Sequence, residues 1–290
     1  MQKLRVSILS AAVGAALLFS AGAEACTLNA WTVNGSIVGS APNLVPGGPA
    51  HTNNTVRRYS GICGMRASAA NNYVQNDDPA ADQIFRARFY VLTALTSGSA
   101  TVYQAGNNTN NNEIEVIVNR GTNEIQVRHR GGTPVNFSIN SAARWYSVEV
   151  AMNSTATATT GTDPIPANTM RVRVGGGGSD TVNTQTLSVT NGAAIDFARL
   201  GFVSGSGSPN VGFDAYESTR SAGNPIGRLC RGDANGSNTI TVADRSAITA
   251  ELNNPSNAAT GQPDCNEDGQ ITVADRSCVT ALLSASATCN

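Results

Sequence analysis

The chain has 290 residues, of which 13% are charged and 5% aromatic, and its formal net charge is −1. That balance excludes the strongly basic surface of a nucleic-acid-binding protein, and no apolar run reaches the roughly 20 residues of a membrane-spanning helix. Six cysteines with only two histidines, His51 and His129, and no Cys-x-x-Cys pair argue for disulfides in an oxidising compartment rather than for zinc.

Lys3 and Arg5 precede an apolar stretch, Val6–Phe19, and Ala23-Glu24-Ala25 supplies small residues for cleavage. This pattern reads as a signal peptide over residues 1–25, removed before Cys26. The mature protein is expected to be secreted or held at a bacterial cell surface, with no membrane insertion.

Residues 26–220 read as one β domain. Phe85, Ala87, Phe89 and Val91 alternate with Arg86, Arg88 and Tyr90. Ile114, Val116 and Val118 alternate with Glu113, Glu115 and Ile117, and Tyr146, Val148, Val150 and Met152 with Trp145, Ser147 and Glu149. Met170, Val172 and Val174 alternate with Arg171 and Arg173. Period-two segments joined by Gly-, Asn- and Ser-rich connections predict a β-sandwich or jelly roll. Asn107–Asn112, Thr155–Asn168 and Gly175–Gly178 read as loops.

Glu113 and Glu115 are the catalytic candidates of this domain. Acids at i and i+2 on a strand reach one face, and glycoside hydrolysis with retention needs an acid and a nucleophile about 5–5.5 Å apart. The competing expectation is a solvated strand face paired with arginines, drawn from Arg86, Arg88, Arg128, Arg130, Arg171 and Arg173. Residues 221–229 form a linker too short for free tumbling, so the parts it joins are expected to pack together.

Residues 230–290 contain a duplication. Ile-Thr-Val-Ala-Asp-Arg-Ser occurs at Ile240–Ser246 and again, 31 residues later, at Ile271–Ser277. Oxygen-bearing residues precede and overlap each copy at alternate positions: Asp233, Asn235, Ser237, Thr239 and Thr241, closing on Asp244, then Asp264, Asn266, Asp268, Gln270 and Thr272, closing on Asp275. These match positions 1, 3, 5, 7, 9 and 12 of a calcium-binding loop of about twelve residues. Two Ca2+ sites are therefore expected, with position 7 (Thr239 or Gln270) offering its backbone carbonyl. Position 6 requires a sharp turn, which Gly269 and Asn238 accommodate. The second loop carries more carboxylates than the first and is expected to bind calcium more tightly. Ala247, Ile248 and Leu252, and Val279, Leu282 and Leu283, recur at helical spacing after each loop.

Two resemblances follow. Gly232–Ile240 and Asp264–Ile271, with position 12 occupied by Asp and no preceding helix, resemble the paired loop–helix repeats (F-hands) of a type I dockerin. The resemblance implies a small all-α module that folds with calcium and plugs into a cohesin-like partner. It makes Val242, Ala243 and Arg245, and their repeats Val273, Ala274 and Arg276, the partner-binding residues. Val-Ala stands where dockerins of that family carry the hydroxyl residues that set cohesin preference, which points away from a cellulosomal cohesin. Arg144–Met152, Met170–Gly175, Asp196–Ser204 and Val211–Arg220 are similar to strands of the concanavalin-like lectin/glucanase and laminin-G-like fold. That likeness implies a sandwich that binds glycans or other ligands, and in some members one that cleaves polysaccharide. Cys26–Cys63, Cys230–Cys289 and Cys265–Cys278 are the expected disulfides, although the spacing leaves three pairings open among the last four cysteines.

Three functions are consistent with the sequence. The first is an exported, non-enzymatic protein whose sandwich binds a glycan or a neighbouring surface protein and whose module docks it through calcium. The second is a secreted polysaccharide-active hydrolase or lyase anchored by that module. The third is a self-assembling surface or matrix protein with the module as a calcium-stabilised cap. A module buried against the sandwich with its Val-Ala positions hidden would favour the cap.

Overall fold

The computed structural model describes residues 43–46, 57–67, 69–109, 112–206, 211–220, 224–254 and 257–289. The expected signal peptide, Cys26 and His51 lie outside them. Strands β1 (Asn43–Pro46), β2 (Cys63–Ala67), β3 (Asn72–Asn76), β4 (Ile84–Leu92), β5 (Ser99–Gly106), β6 (Asn112–Asn119) and β7 (Glu124–Arg128) are followed by β8 (Val135–Ser138), β9 (Trp145–Asn153), β10 (Thr169–Gly176), β11 (Val182–Ser188), β12 (Phe197–Ser206) and β13 (Val211–Thr219). Helices α1 (Val242–Asn253) and α2 (Val273–Ser284) close the chain. The fold is mainly β: a two-sheet antiparallel sandwich followed by a small helical module.

The strands form two antiparallel sheets, one in the order β1-β2-β13-β4-β9-β10-β11 and the other β3-β12-β5-β6-β7-β8. Alternation decides which side chains meet between them. Phe85, Ala87, Phe89 and Val91 from β4, Val148, Val150 and Met152 from β9, and Ile114, Val116 and Val118 from β6 share one core cluster. Burying such side chains is worth about 1.5–3 kcal/mol each, and this drives the two sheets together.

The alternate positions of β4 and β9 are buried as well. Arg86, Tyr90 and Trp145 are fully buried, and Arg88 and Glu149 nearly so. The cause is a third layer over the seven-stranded sheet. The 155–168 connection folds back so that Asp163 accepts from Arg86 (2.7 Å), from Arg173 (2.6 Å) and from Arg171. Glu149 accepts from Arg86 at 3.0 Å and from the Gly227 amide of the linker at 2.9 Å. Tyr90, Leu92 and Trp145 pack with Tyr59 in a separate apolar cluster that Leu229 joins, and the Tyr59 and Tyr90 rings stack at 4.0 Å. The helical module sits on this side of the sandwich, as the short linker predicts.

Candidate metal centres

The module is built from two loop–helix units whose polar contacts repeat. In the first, Asp233 accepts from the Ser237 amide (2.9 Å) and the Asn238 amide (2.6 Å), and Asp244 from the amides of Asn235 (3.0 Å) and Thr241 (2.7 Å). In the second, Asp264 accepts from the amides of Asp268 (3.1 Å) and Gly269 (2.7 Å), and Asp275 from those of Asn266 (3.1 Å) and Thr272 (2.7 Å). Positions 1 and 12 thus close each loop on itself. Position 6 is left-handed in both, with φ of 60° at Asn238 and 80° at Gly269.

The last loop residues also start the helices. Thr241 and Thr272 are the N-caps of α1 and α2, and Asp244 and Asp275 complete capping boxes with them. One aspartate therefore serves both the loop and the helix.

The donor set fits a hard cation. Burial and the neighbouring Asp275 and Asp268 carboxylates push Asp264 well above the usual carboxylate range. Asp275 is raised to about 6, by burial first and then by Asp268. Burial also raises Asp233. Acids gathered in this way repel one another until a divalent ion joins them. Among the described residues no group of three or more His, Cys, Asp or Glu is disposed to hold a metal by itself, so the amide, hydroxyl and backbone oxygens of Asn235, Ser237, Thr239, Asn266 and Gln270 are needed as well. Such mixed oxygen donors are what calcium accepts.

Residues 231–284 match the sequence model of the dockerin type I domain. The C-terminal segment is a dockerin module. Modules of this kind bind calcium and dock to cohesins. No curated protein matches the chain. Among solved structures, a Trypanosoma rangeli sialidase aligns over 56% of this chain and 26% of its own, at 12% identity and a TM-score of 0.37. A xylan beta-1,4-xylosidase from Bacillus halodurans aligns over 54% of this chain and 32% of its own, at 11% identity and a TM-score of 0.37. The ligand-binding domain of botulinum neurotoxin serotype D, solved with N-acetylneuraminic acid, aligns over 63% of this chain and 44% of its own, at 9% identity and a TM-score of 0.40. The chain spans less than half the length of each.

Two disulfides hold the dockerin module. Cys230–Cys289 ties its ends, and Cys265–Cys278 joins position 2 of the second loop to α2. Cys63 is also disulfide-bonded, and Cys26, its expected partner, lies outside the described residues. In the first repeat the positions equivalent to Cys265 and Cys278 are Ala234 and Ala247, so the covalent tie belongs to the second repeat alone.

The partner-binding candidates of the dockerin module face solvent. Val242 is 70% and Val273 66% exposed, and Ala243, Arg245, Ala274 and Arg276 are exposed beside them. The sandwich is gripped elsewhere. Arg58 places two 2.6 Å hydrogen bonds on Glu251 of α1. Glu267 accepts from the Tyr59 hydroxyl (3.0 Å), the Gly178 amide (2.8 Å) and the Arg228 guanidinium. Sequence reasoning missed both acids, since Glu267 holds a loop position that supplies no ligand and Glu251 looks like any helix-surface residue.

The sequence-predicted catalytic pair is brought together on the six-stranded sheet, but each member is committed to arginine. Glu113 accepts from Arg130 Nε and Nη2, both at 2.7 Å, and from Asn107 at 3.0 Å. Glu115 accepts from Arg128 Nε at 2.8 Å. The expected arginine pairing holds for these two cations, while the expected solvated face does not: Glu113 is fully and Glu115 largely buried. Arg86, Arg88, Arg171 and Arg173 serve acids on the other sheet. His129 lies between the Glu113 carbonyl (2.8 Å) and the Thr190 amide (3.0 Å).

Proposed function

We propose that this is an exported, calcium-binding assembly protein, with residues 1–25 removed on export, a sandwich over 26–220, a linker over 221–229 and a dockerin module over 230–290. Two calcium ions fill the loops, held by Asp233, Asn235, Ser237, Thr239 and Asp244 in one and by Asp264, Asn266, Asp268, Gln270 and Asp275 in the other. The loaded module then docks to a cohesin-like or neighbouring surface protein through Val242, Ala243 and Arg245, or through their repeats Val273, Ala274 and Arg276.

The observation that carries this reading is the exposure of both Val-Ala pairs while Glu251 and the second loop hold the module against the sandwich. A cap alone would hide them. The arginine pairing of Glu113 and Glu115 supports binding over hydrolysis, because both carboxylates are already engaged by neighbouring guanidinium groups. With the middle of the seven-stranded sheet covered among the described residues, the outer face of the six-stranded sheet is the surface offered to a glycan or protein. There Gln75, Arg199, Gln104, Glu115 and Arg128 line up in cross-strand register.

The test is binding of the full chain to a panel of purified cohesin domains, with calcium and with chelator. Calcium-dependent binding that survives Val242→Asp or Val273→Asp singly, and is lost in the double variant, is expected. Binding that ignores calcium or tolerates the double variant would refute the docking role.

A further inference from the structure

The two loops share one pattern of oxygen-bearing positions but not their surroundings. Gly236, Ser237, Asn238 and Thr239 of the first are exposed. In the second, Glu267 is fully buried and Gly269 is buried as well. Among the described residues the hydrogen bonds of 233–244 stay within the module, whereas four consecutive residues of the second loop meet the sandwich. Arg144 donates to the Asn266 carbonyl at 3.2 Å and the Trp145 amide to the Glu267 carbonyl at 2.8 Å. Arg57 donates to the Asp268 carbonyl at 3.4 Å, and a side chain at Gly269 would collide with Arg57 and Leu92.

Glu267 occupies position 4 in a left-handed conformation, with φ of 59°. The first loop puts glycine there, Gly236, at φ of 73°. Glycine adopts this backbone without steric cost and glutamate does not. A strained glutamate persists where its surroundings over-determine it, and here Tyr59, Gly178 and Arg228 hold its carboxylate while Trp145 holds its carbonyl.

We infer that Glu267 is a positioning residue for the second calcium site. By seating that loop on the sandwich it makes calcium binding there and module docking one coupled equilibrium, while the first loop fills independently. The inference rests on the calcium reading above. Seating fixes positions 3 to 6 before the ion arrives, which raises affinity, and by linkage calcium strengthens seating by the same factor. Arg144, 4.0 Å from Asp268, works against the ion's charge, so the coupling comes from preorganisation of the loop.

The variant to use is Glu267→Gly in the full, oxidised chain, because the first loop already folds with glycine at that position. Calcium is titrated while the Gly236 and Gly269 amide resonances report each loop separately. We expect the second site to weaken on the order of tenfold, within the usual range of coupled sites, with the first unchanged. Hydrogen exchange at the Trp145 amide should slow on calcium addition in the parent chain and respond far less in the variant. Glu267→Gln, which keeps an acceptor for Tyr59 and Gly178, should restore part of the loss. Unchanged affinity at Gly269, or equal losses at both loops, would overturn the inference and leave the calcium reading intact. No response of either resonance in the parent chain would overturn both.

Discussion

Asp244 and Asp275 show how much one side chain carries here. Each closes a loop and completes the capping box of a helix, so losing either removes half of that box before any metal is considered. Their place in a repeated loop was legible in the sequence because the oxygen-bearing residues alternate and recur at a fixed offset. Asp163 was not legible. It lies in a connection that reads as a plain loop, and its role comes from three arginines on two strands that only the sheet brings together. Arg173 first, then Arg86 and Arg171, hold its carboxyl well below the usual range. A carboxylate depressed in this way stabilises the fold above its unfolded pKa, near 3.9. The contribution fades as pH falls from there toward the folded value. Urea unfolding should show Asp163→Asn less stable than the parent at pH 7 by about 1–3 kcal/mol, since Arg86 loses a partner while buried. The gap should narrow steadily between about pH 5 and 2. A gap independent of pH would show that the carboxylate's charge is not what matters.

At the scale of elements, alternation placed the inward residues of β4, β6, β9 and β10 correctly because the period of a strand fixes its faces. It does not say what meets the outward residues of β4 and β9. Alternating arginine and tyrosine look solvated until something covers them, and the cover consists of the 155–168 connection, the linker and the dockerin module, all remote in sequence. The Arg58–Glu251 pair is the strongest single tie between α1 and the sandwich, with side chains 3% and 0% exposed. Breaking a buried pair from one side leaves an uncompensated charge and costs about 3–5 kcal/mol. Glu251→Ala is therefore expected to lower the melting temperature of the full chain, and Arg58→Met in the same background should recover much of the loss. Failure of the second substitution to rescue would mean that the pair's charges are not what secures α1.

At the scale of the whole molecule the described residues form three layers: a six-stranded sheet, a seven-stranded sheet, and a cover on the outer side of the second made by the 155–168 connection, residues 224–229 and the module. Seating through Glu267 and Glu251 leaves the N-terminal turns of both helices outward. That reconciles two functions that seemed alternatives in the sequence, because the module can secure the fold and still present a docking surface. The sandwich and the paired loop–helix repeats could be read from period and repetition, which are local. The orientation of one on the other could not, since it depends on contacts between residues some 200 positions apart in the chain, such as Arg58 with Glu251. Calorimetric titration of calcium into the chelator-stripped full chain tests this account most directly. Two binding events are predicted, the tighter abolished by Asp275→Ala and the weaker by Asp244→Ala. Absence of binding at millimolar calcium, or two events that both survive these substitutions, would contradict it.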